Sequence, residues 1–505
     1  MDLEHFDVLI VGAGLSGVGA AYRLQTLCPT KSYTILEARD RLGGTWDLFR
    51  YPGIRSDSDM FTLGYPFRPW KEAKAIADGP AILRYIEETA ATYGIDERIR
   101  FREKVVAARW SSDEVRWTVD TESDEGEARR YTCSFLWLCS GYYSYDAGHM
   151  PEFPNVGDFG GRLVHPQTWP EDLDYDGKAV VVIGSGATAV TLVPAMAETA
   201  GHVTMLQRSP TYITSLPARD PIADAARRVL PERLAHGIVR WKNVLLASGF
   251  FQLSRRRPEL AKRLIGAGVR KELPGYDLDP DFTPRYDPWD QRICFVPDAD
   301  LFRAMREGRA SIVTDEIETF TPTGIRLRSG RELEADVVVS ATGLRLVPLG
   351  GLCFEVDGET VVPGATFVYR GFMLTGLPNL AITVGYTNAS WTLRADLTAR
   401  SVCRLLNHMD RHALAAAVPG TRAGESLEAD SVFNLTSGYV LRAAADLPKQ
   451  GTREPWRLGQ NYPIDAVRAR FADFADGLSF TPFRPAGVGA PRGEPDQAEA
   501  PLVGA

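Results

Sequence analysis

The chain has 505 residues, 44% of them hydrophobic and 24% charged, which excludes a single small module and a wholly disordered polypeptide. At roughly 150 residues per domain that length holds three or four structural units. Lysine and arginine number 57 against 65 aspartates and glutamates, a formal charge of -8 that excludes broad nucleic-acid binding and favours solubility.

Residues 6–11, Phe-Asp-Val-Leu-Ile-Val, form an apolar run that meets Gly12-Ala-Gly-Leu-Ser-Gly17 and then an alanine-rich helical pattern ending near Thr26. This predicts strand, tight turn and helix, and a second strand from Ser32 to Glu37 makes the opening a parallel βαβ unit. Alternating stretches around Val105 to Trp110 and Val115 to Thr121 predict a small antiparallel meander. Cys133 to Cys139 then returns as an apolar strand ending at Ser140-Gly141. At Ala179 to Ile183 another strand runs into Gly184-Ser-Gly-Ala-Thr-Ala189 and a helical pattern, so the opening arrangement recurs.

Residues 213–286 read as a helical insertion with basic clusters at Arg227-Arg228 and Arg255-Arg256-Arg257. Asp336 to Gly343 closes a strand on the small-residue turn Ala341-Thr342-Gly343, where the chain is expected to rejoin the first domain. The expected fold is α/β, with two Rossmann-like dinucleotide-binding domains and a helical insertion in the second. The first domain is assigned to 1–145 and 336–484 and the second to 146–335, while 485–505, rich in Gly, Pro and Ala, is expected to be a disordered tail.

No membrane-spanning helix or signal peptide is expected. Acidic residues precede the apolar stretch Val8 to Tyr22, and glycines with Pro194 interrupt Ala179 to Ala197. Trp241 to Leu253, followed by three consecutive arginines, is too short to span a bilayer. It reads as a helix packed over the active site, with peripheral membrane contact as the alternative. The six cysteines (Cys28, Cys133, Cys139, Cys294, Cys353 and Cys403) form no CxxC pair, so neither a metal site nor a dithiol centre is expected and a cytoplasmic setting fits.

In the first glycine motif, Gly12 permits the turn, Gly14 lets backbone approach a pyrophosphate and Gly17 lets helix pack on strand. Glu37, 20 residues after Gly17 at a strand end, can accept hydrogen bonds from ribose hydroxyls of an adenosine. The second motif places Gly184, Gly186, Ala187 and Thr188 at a second nucleotide. Its following strand ends in Arg208-Ser209, a cation and a hydroxyl suited to a 2'-phosphate and hence to NADPH. Two nucleotide sites, the first completed by Ala341-Thr342-Gly343, describe a flavoprotein that takes hydride from NADPH. Without a cysteine pair the electrons must pass to a quinone, an electron carrier or dioxygen.

Further residues carry a family resemblance. Gly43-Gly44-Thr45-Trp46, Arg50-Tyr-Pro-Gly53 and Phe159-Gly-Gly161-Arg-Leu-Val-His165-Pro-Gln-Thr-Trp169 resemble the class B flavin monooxygenases, the last matching the Baeyer-Villiger fingerprint FxGxxxHxxxW. The stretches Gly43 to Trp70, Asp172 to Ser215, Asp287 to Arg303 and Gly385 to Arg394 are similar to the subgroup of mycobacterial ethionamide-activating monooxygenases, over residues 5 to about 465. The resemblance implies FAD and NADPH as cofactors, and conversion of a small lipophilic ketone to an ester or lactone through an oxygen adduct at flavin C4a. It also implies oxygenation of sulfides or thioamides. An N- or S-oxygenating monooxygenase and a non-catalytic flavin- and NADPH-sensing protein are the alternatives.

By the same resemblance Arg292 is the active-site arginine, Asp57 its acidic partner, and Trp46 a neighbour of the isoalloxazine. Phe159, Gly161, His165 and Trp169 become a hinge coupling domain movement to cofactor position, and Trp456 part of a segment closing over the nicotinamide. Gln291 stands where many relatives carry a lysine, which leaves Arg208 as the sole expected cation for the 2'-phosphate. The natural ketone and the oligomeric state are not legible at this level.

Overall fold

The computed structural model describes residues 3–421, 425–433 and 435–483, so the tail expected over 485–505 lies outside the described residues. The opening apolar run forms β1 (Glu4–Val11), with Val8, Leu9 and Ile10 wholly buried, and leads through the glycine turn into α1 (Leu15–Leu27). Strand β2 (Tyr33–Glu37) lies parallel to β1 with Val8 opposite Tyr33, and β3 (Ile99–Phe101) extends that edge. A strand buried on both faces needs a near-continuous apolar run, which Val8 to Val11 supplies.

The predicted meander is β4 (Lys104–Ser111) and β5 (Arg116–Glu122), joined antiparallel to β6 (Ala128–Leu138). Strand β6 starts earlier than the sequence suggested because its first half completes the meander, with Trp117 opposite Cys133, while its opposite edge runs parallel to β1.

A second, wholly parallel sheet has β7 (Arg162–Val164), β8 (Ala179–Ile183), β9 (His202–Gln207), β12 (Ala310–Thr314) and β13 (Val337–Ser340), in the order β12-β9-β8-β13-β7. Helix α2 (Ala187–Met196) follows its glycine turn. The sequence-based boundary at 336 cuts β13 from the sheet to which it belongs: Val337 to Ser340 sits between β8 and β7. The chain rejoins the first sheet later, at β14 (Cys353–Val356) and β15 (Glu359–Val361), where β14 pairs with β4. Strand β16 (Leu380–Ile382) then takes the end of the β6 edge that β5 leaves free.

The insertion also differs from the expectation. It opens with a strand, β10 (Ile213–Leu216), paired in parallel with β11 (Cys294–Pro297), so the two ends of the excursion are pinned together, Ile213 opposite Cys294. Between them stand α3 (Pro221–Val229), α4 (Glu232–Arg256) and α5 (Pro258–Glu272). The segment Trp241 to Leu253 is thus part of a 25-residue helix. No helix among the described residues is long and apolar enough to cross a membrane. The remaining helices that matter for the site are α6 (Trp391–Arg411), α7 (Gly438–Arg442) and α8 (Tyr462–Phe471).

Candidate active site

The first glycine turn is built for close approach. Gly12 has φ +99°, and a Cβ there would lie 2.7 Å from the Cys139 carbonyl oxygen, at the end of β6. A Cβ on Gly17 would fall 1.9 Å from the Gly12 carbonyl, so only glycine lets α1 meet β1 here. Gly44, with φ +56° and its Cα 3.5 Å from where a Gly14 Cβ would stand, lays the Gly43-Gly44 turn on the first. Buried Glu37 accepts from the Ala13 N–H at 2.7 Å and the Arg39 N–H at 3.0 Å. Burial raises its carboxyl above the usual range, and those two donors work against that shift.

The second turn repeats the design. Gly184 has φ +135°, and a Cβ on it would meet the Ala341 carbonyl oxygen at 2.5 Å. The Ala341-Thr342-Gly343 turn therefore flanks the second glycine motif, and Cys139-Ser140-Gly141 takes the corresponding place at the first, which corrects the sequence-based assignment. The physical reason is strand order: β13 lies beside β8, as β6 lies beside β1. Gly186 precedes α2 with open space around it, and Arg208 and Ser209 are exposed at the end of β9. The Ser209 carbonyl accepts from the Ser185 hydroxyl at 3.0 Å.

The fingerprint residues cluster where the chain crosses between sheets. The buried His165 ring accepts from the Gln167 N–H at Nδ1, 3.1 Å away, and donates from Nε2 to the Gly343 carbonyl at 3.3 Å. Its other face lies against Gly148, where a Cβ would fall 1.9 Å from the ring. Burial depresses its pKa below 6.5, so the ring is neutral. Gly161 packs under the Asp336 carbonyl, Phe159 meets Phe320 edge-on at 5.7 Å, and Trp169 packs against Tyr175.

A cavity of about 1080 Å³ runs from the first glycine turn to the start of α2; Gly184, Gly186, Arg208, Ser209, the Ala341 turn and the fingerprint residues do not line it. Gly12, Gly14, Glu37, Gly44, Thr45 and Trp46 line it from the first domain, Ala187 and Thr188 from the second, and Asp57 and Arg292 also line it. Arg292 sits two residues before β11, at the root of the insertion. Its Nε is buried without a hydrogen-bond partner. Burial opposes its charge, but Tyr142, Tyr439, Tyr143 and the Asp57 carboxylate outweigh that effect and push its pKa up, so it stays cationic. Asp57 forms no ion pair with Arg292; burial raises its carboxyl, and the Arg292 and Arg55 charges only partly offset the rise.

Several lining groups were not legible in the sequence. Tyr142 and Tyr143, whose hydroxyls are 2.9 Å apart, follow the Cys139–Gly141 turn, and Tyr439 of α7 stands near Arg292 without lining the cavity. Tyr142 stacks on Trp391 at 5.1 Å. From the insertion, Lys242, Asn243, Val244, Leu246 and Phe250 on α4 line the cavity, so this helix does cover the site. Trp456 does not: it is 2% exposed and packs edge-on against Tyr369 at 5.5 Å in the core beneath α6. An apolar ring gains more from that core than from a wet cleft, and Tyr462 is the residue of the same segment that reaches the cavity.

Residues 65–221 match the flavin-binding monooxygenase-like family, and residues 10–78 an NAD(P)-binding Rossmann-like domain. The FAD-containing monooxygenase EthA of Mycobacterium tuberculosis is 56% identical over 489 residues, covering 96% of this chain and 99% of that one. The chain belongs to this family of class B flavoprotein monooxygenases. The putative FAD-containing monooxygenase MymA of the same organism is 52% identical across 92% of this chain and 94% of its own length. Among solved structures, an oxidized steroid monooxygenase bound to NADP superposes with a TM-score of 0.73 at 22% identity, covering 95% of this chain and 100% of its own. A cyclohexanone monooxygenase from Rhodococcus sp. Phi1 bound to NADP+ gives 0.72 at 19% identity with the same coverage. At that identity the likeness describes the fold alone, two dinucleotide-binding domains between which the chain crosses twice.

Proposed function

We propose that this class B monooxygenase uses NADPH and dioxygen to insert oxygen beside the carbonyl of a lipophilic ketone, giving an ester or lactone, and also oxygenates sulfides. FAD and NADPH are its cofactors. The residues present fit FAD: two glycine turns leave room for a pyrophosphate, Glu37 has free lone pairs toward an adenosine ribose, and Arg39 Nη1 is a buried donor with no partner. The exposed Arg208 and Ser209 suit the 2'-phosphate of NADPH, with Gly184, Gly186, Ala187 and Thr188 at its pyrophosphate. The bound flavin, reduced by NADPH, supplies activated oxygen.

The observation that carries the reading is the half-buried, cationic Arg292 on the wall of a cavity large enough for flavin and substrate together. Attack on a carbonyl moves negative charge from the attacking oxygen to the carbonyl oxygen. A fixed guanidinium in a site screened from water stabilises that charge without reorganisation. Asp57 tempers the guanidinium, and Val244, Phe250, Ile293 and Phe295 favour an apolar substrate. His165, touching the Gly343 turn and Gly148 on both crossings, acts as a hinge pin and not as an acid or base. The deciding experiment is aerobic NADPH oxidation with aliphatic, cyclic and aryl ketones and a thioether, products being identified by mass. Sulfoxide without any ester from the whole panel would replace this reading with S-oxygenation alone.

A further inference from the structure

The helical insertion carries a charge opposite to that of the whole chain. Residues 221–272 hold twelve lysines and arginines against four aspartates and glutamates, +8 in a chain of -8. Much of this charge is not consumed by ion pairs: Arg228, Arg233, Arg256, Arg257 and Arg263 are exposed with no carboxylate partner among the described residues.

On α4 the side chains Leu234, Ile238, Trp241 and Leu245 follow one another at four, three and four residues, a spacing that lines them along one helical face. Each is 47% to 59% exposed, while Ala235, Val239 and Val244 on the adjoining face are buried. Helix α8 presents a similar stripe in Ile464, Val467 and Phe471, 49% to 74% exposed. The two helices meet where the rings of Trp241 and Tyr462 come within 5.7 Å. An exposed apolar surface of this extent marks a place of contact.

We propose that this face docks onto an anionic phospholipid surface, and that the cavity draws its lipophilic substrate from there. Charge selects the occupant. A second copy in a symmetric contact would bring +8 against +8, whereas anionic headgroups neutralise the arginines as the apolar stripe enters the acyl boundary. The cavity opens on the same elements: Leu246, 64% exposed beside Leu245, and Tyr462, in ring contact with Trp241, both line it. A substrate dissolved in lipid thus enters without crossing bulk water. Docking stands on the surface alone, and only the route of entry rests on the oxygenation reading above.

The FAD-loaded full chain is floated with vesicles of phosphatidylcholine, with and without phosphatidylglycerol. The bound fraction should rise at least about tenfold with the anionic lipid and fall with salt. Ile238→Gln with Leu245→Gln should release the protein from both vesicles, and Arg256→Glu with Arg257→Glu should abolish the anionic preference. All four positions are exposed, so the flavin spectrum and thermal midpoint serve as folding controls for both variants. Absence of flotation, or equal flotation on neutral vesicles, overturns the proposal. So does a dimer in sedimentation that the apolar double variant dissociates. For the route of entry, that variant should lose oxidation of a vesicle-partitioned long-chain ketone but keep that of a water-soluble one. Equal rates on both overturn the route and leave docking standing. If flotation holds while neither ketone is oxidised by either protein, the oxygenation reading fails, not the docking.

Discussion

His165 donates from Nε2 to the carbonyl of Gly343 at 3.3 Å, tying the fingerprint segment to the second crossing between the two sheets. Its Nδ1 is held by the Gln167 N–H at 3.1 Å, so both nitrogens are committed and the tautomer is set. Replacing His165 with Ala removes the pin without touching the cavity lining. We expect flavin content to stay normal while product formation falls by about 10²-fold, the cost of a misplacement of ~1 Å at the reacting centre. NADPH consumption should fall less, with hydrogen peroxide making up the difference. Full coupling in this variant would remove the hinge role.

Arg292→Ala deletes the cation that lies beside Asp57 on the cavity wall and that the proposed mechanism uses. Loss of one preorganised charge partner of this kind costs about 10²- to 10³-fold in turnover. Ester formation should fall by that factor and sulfide oxidation, which needs no oxyanion stabilisation, by much less. Arg292→Lys should recover little, because an ammonium does not reproduce the planar fork of donors that a guanidinium offers beside Tyr142, Tyr143 and Tyr439. Product ratios from a mixed ketone and thioether assay read this directly. Parallel loss of both activities would count against the proposed division.

Asp57 is held above the usual carboxylate range by burial, and Arg292 and Arg55 offset only part of that rise. The sign follows: the folded state binds this proton more tightly than the unfolded chain, so stability is lost as pH rises through the folded pKa, and the ionised group is a net cost at neutral pH. Asp57→Asn should therefore raise the thermal midpoint while lowering turnover, a trade of stability against function. A lowered midpoint together with lost activity would mean that Asp57 serves the fold and not Arg292.

The parts legible in the sequence are those built within one short stretch of chain. Strand, glycine turn, helix and Glu37 all fall between residues 4 and 37, and local patterning specifies each. The Ala341 turn was visible as a small-residue turn against a nucleotide motif, but which motif it meets depends on β13 entering between β8 and β7, a non-local choice. Tyr142 and Tyr439 approach Arg292 from segments about 300 residues apart, and nothing in a local pattern marks such a meeting. Trp456 shows the opposite difficulty, since a tryptophan beside a polar segment reads equally well as a lid or as core.

His236 on α4 offers a test of how the insertion is held. Its ring is buried against Phe61, both nitrogens are without hydrogen-bond partners, and Arg240 beside it donates to the Phe61 and Gly64 carbonyls. Burial, with the nearby Arg240 and Arg227 charges, lowers its pKa to about 4, and Glu232 opposes this weakly. The folded state thus refuses a proton that the unfolded chain takes up near 6.5. Its contribution is intact above 6.5 and is lost progressively as pH falls toward about 4. A shift of this size corresponds to about 3 kcal/mol between the two limits. His236→Leu should leave the midpoint near its original value at neutral pH and flatten its decline on acidification. His165, also depressed, leaves a residual slope of the same sign. Thermal midpoints of both proteins across the acid range check this, and two parallel curves would show that the insertion is not anchored through this ring.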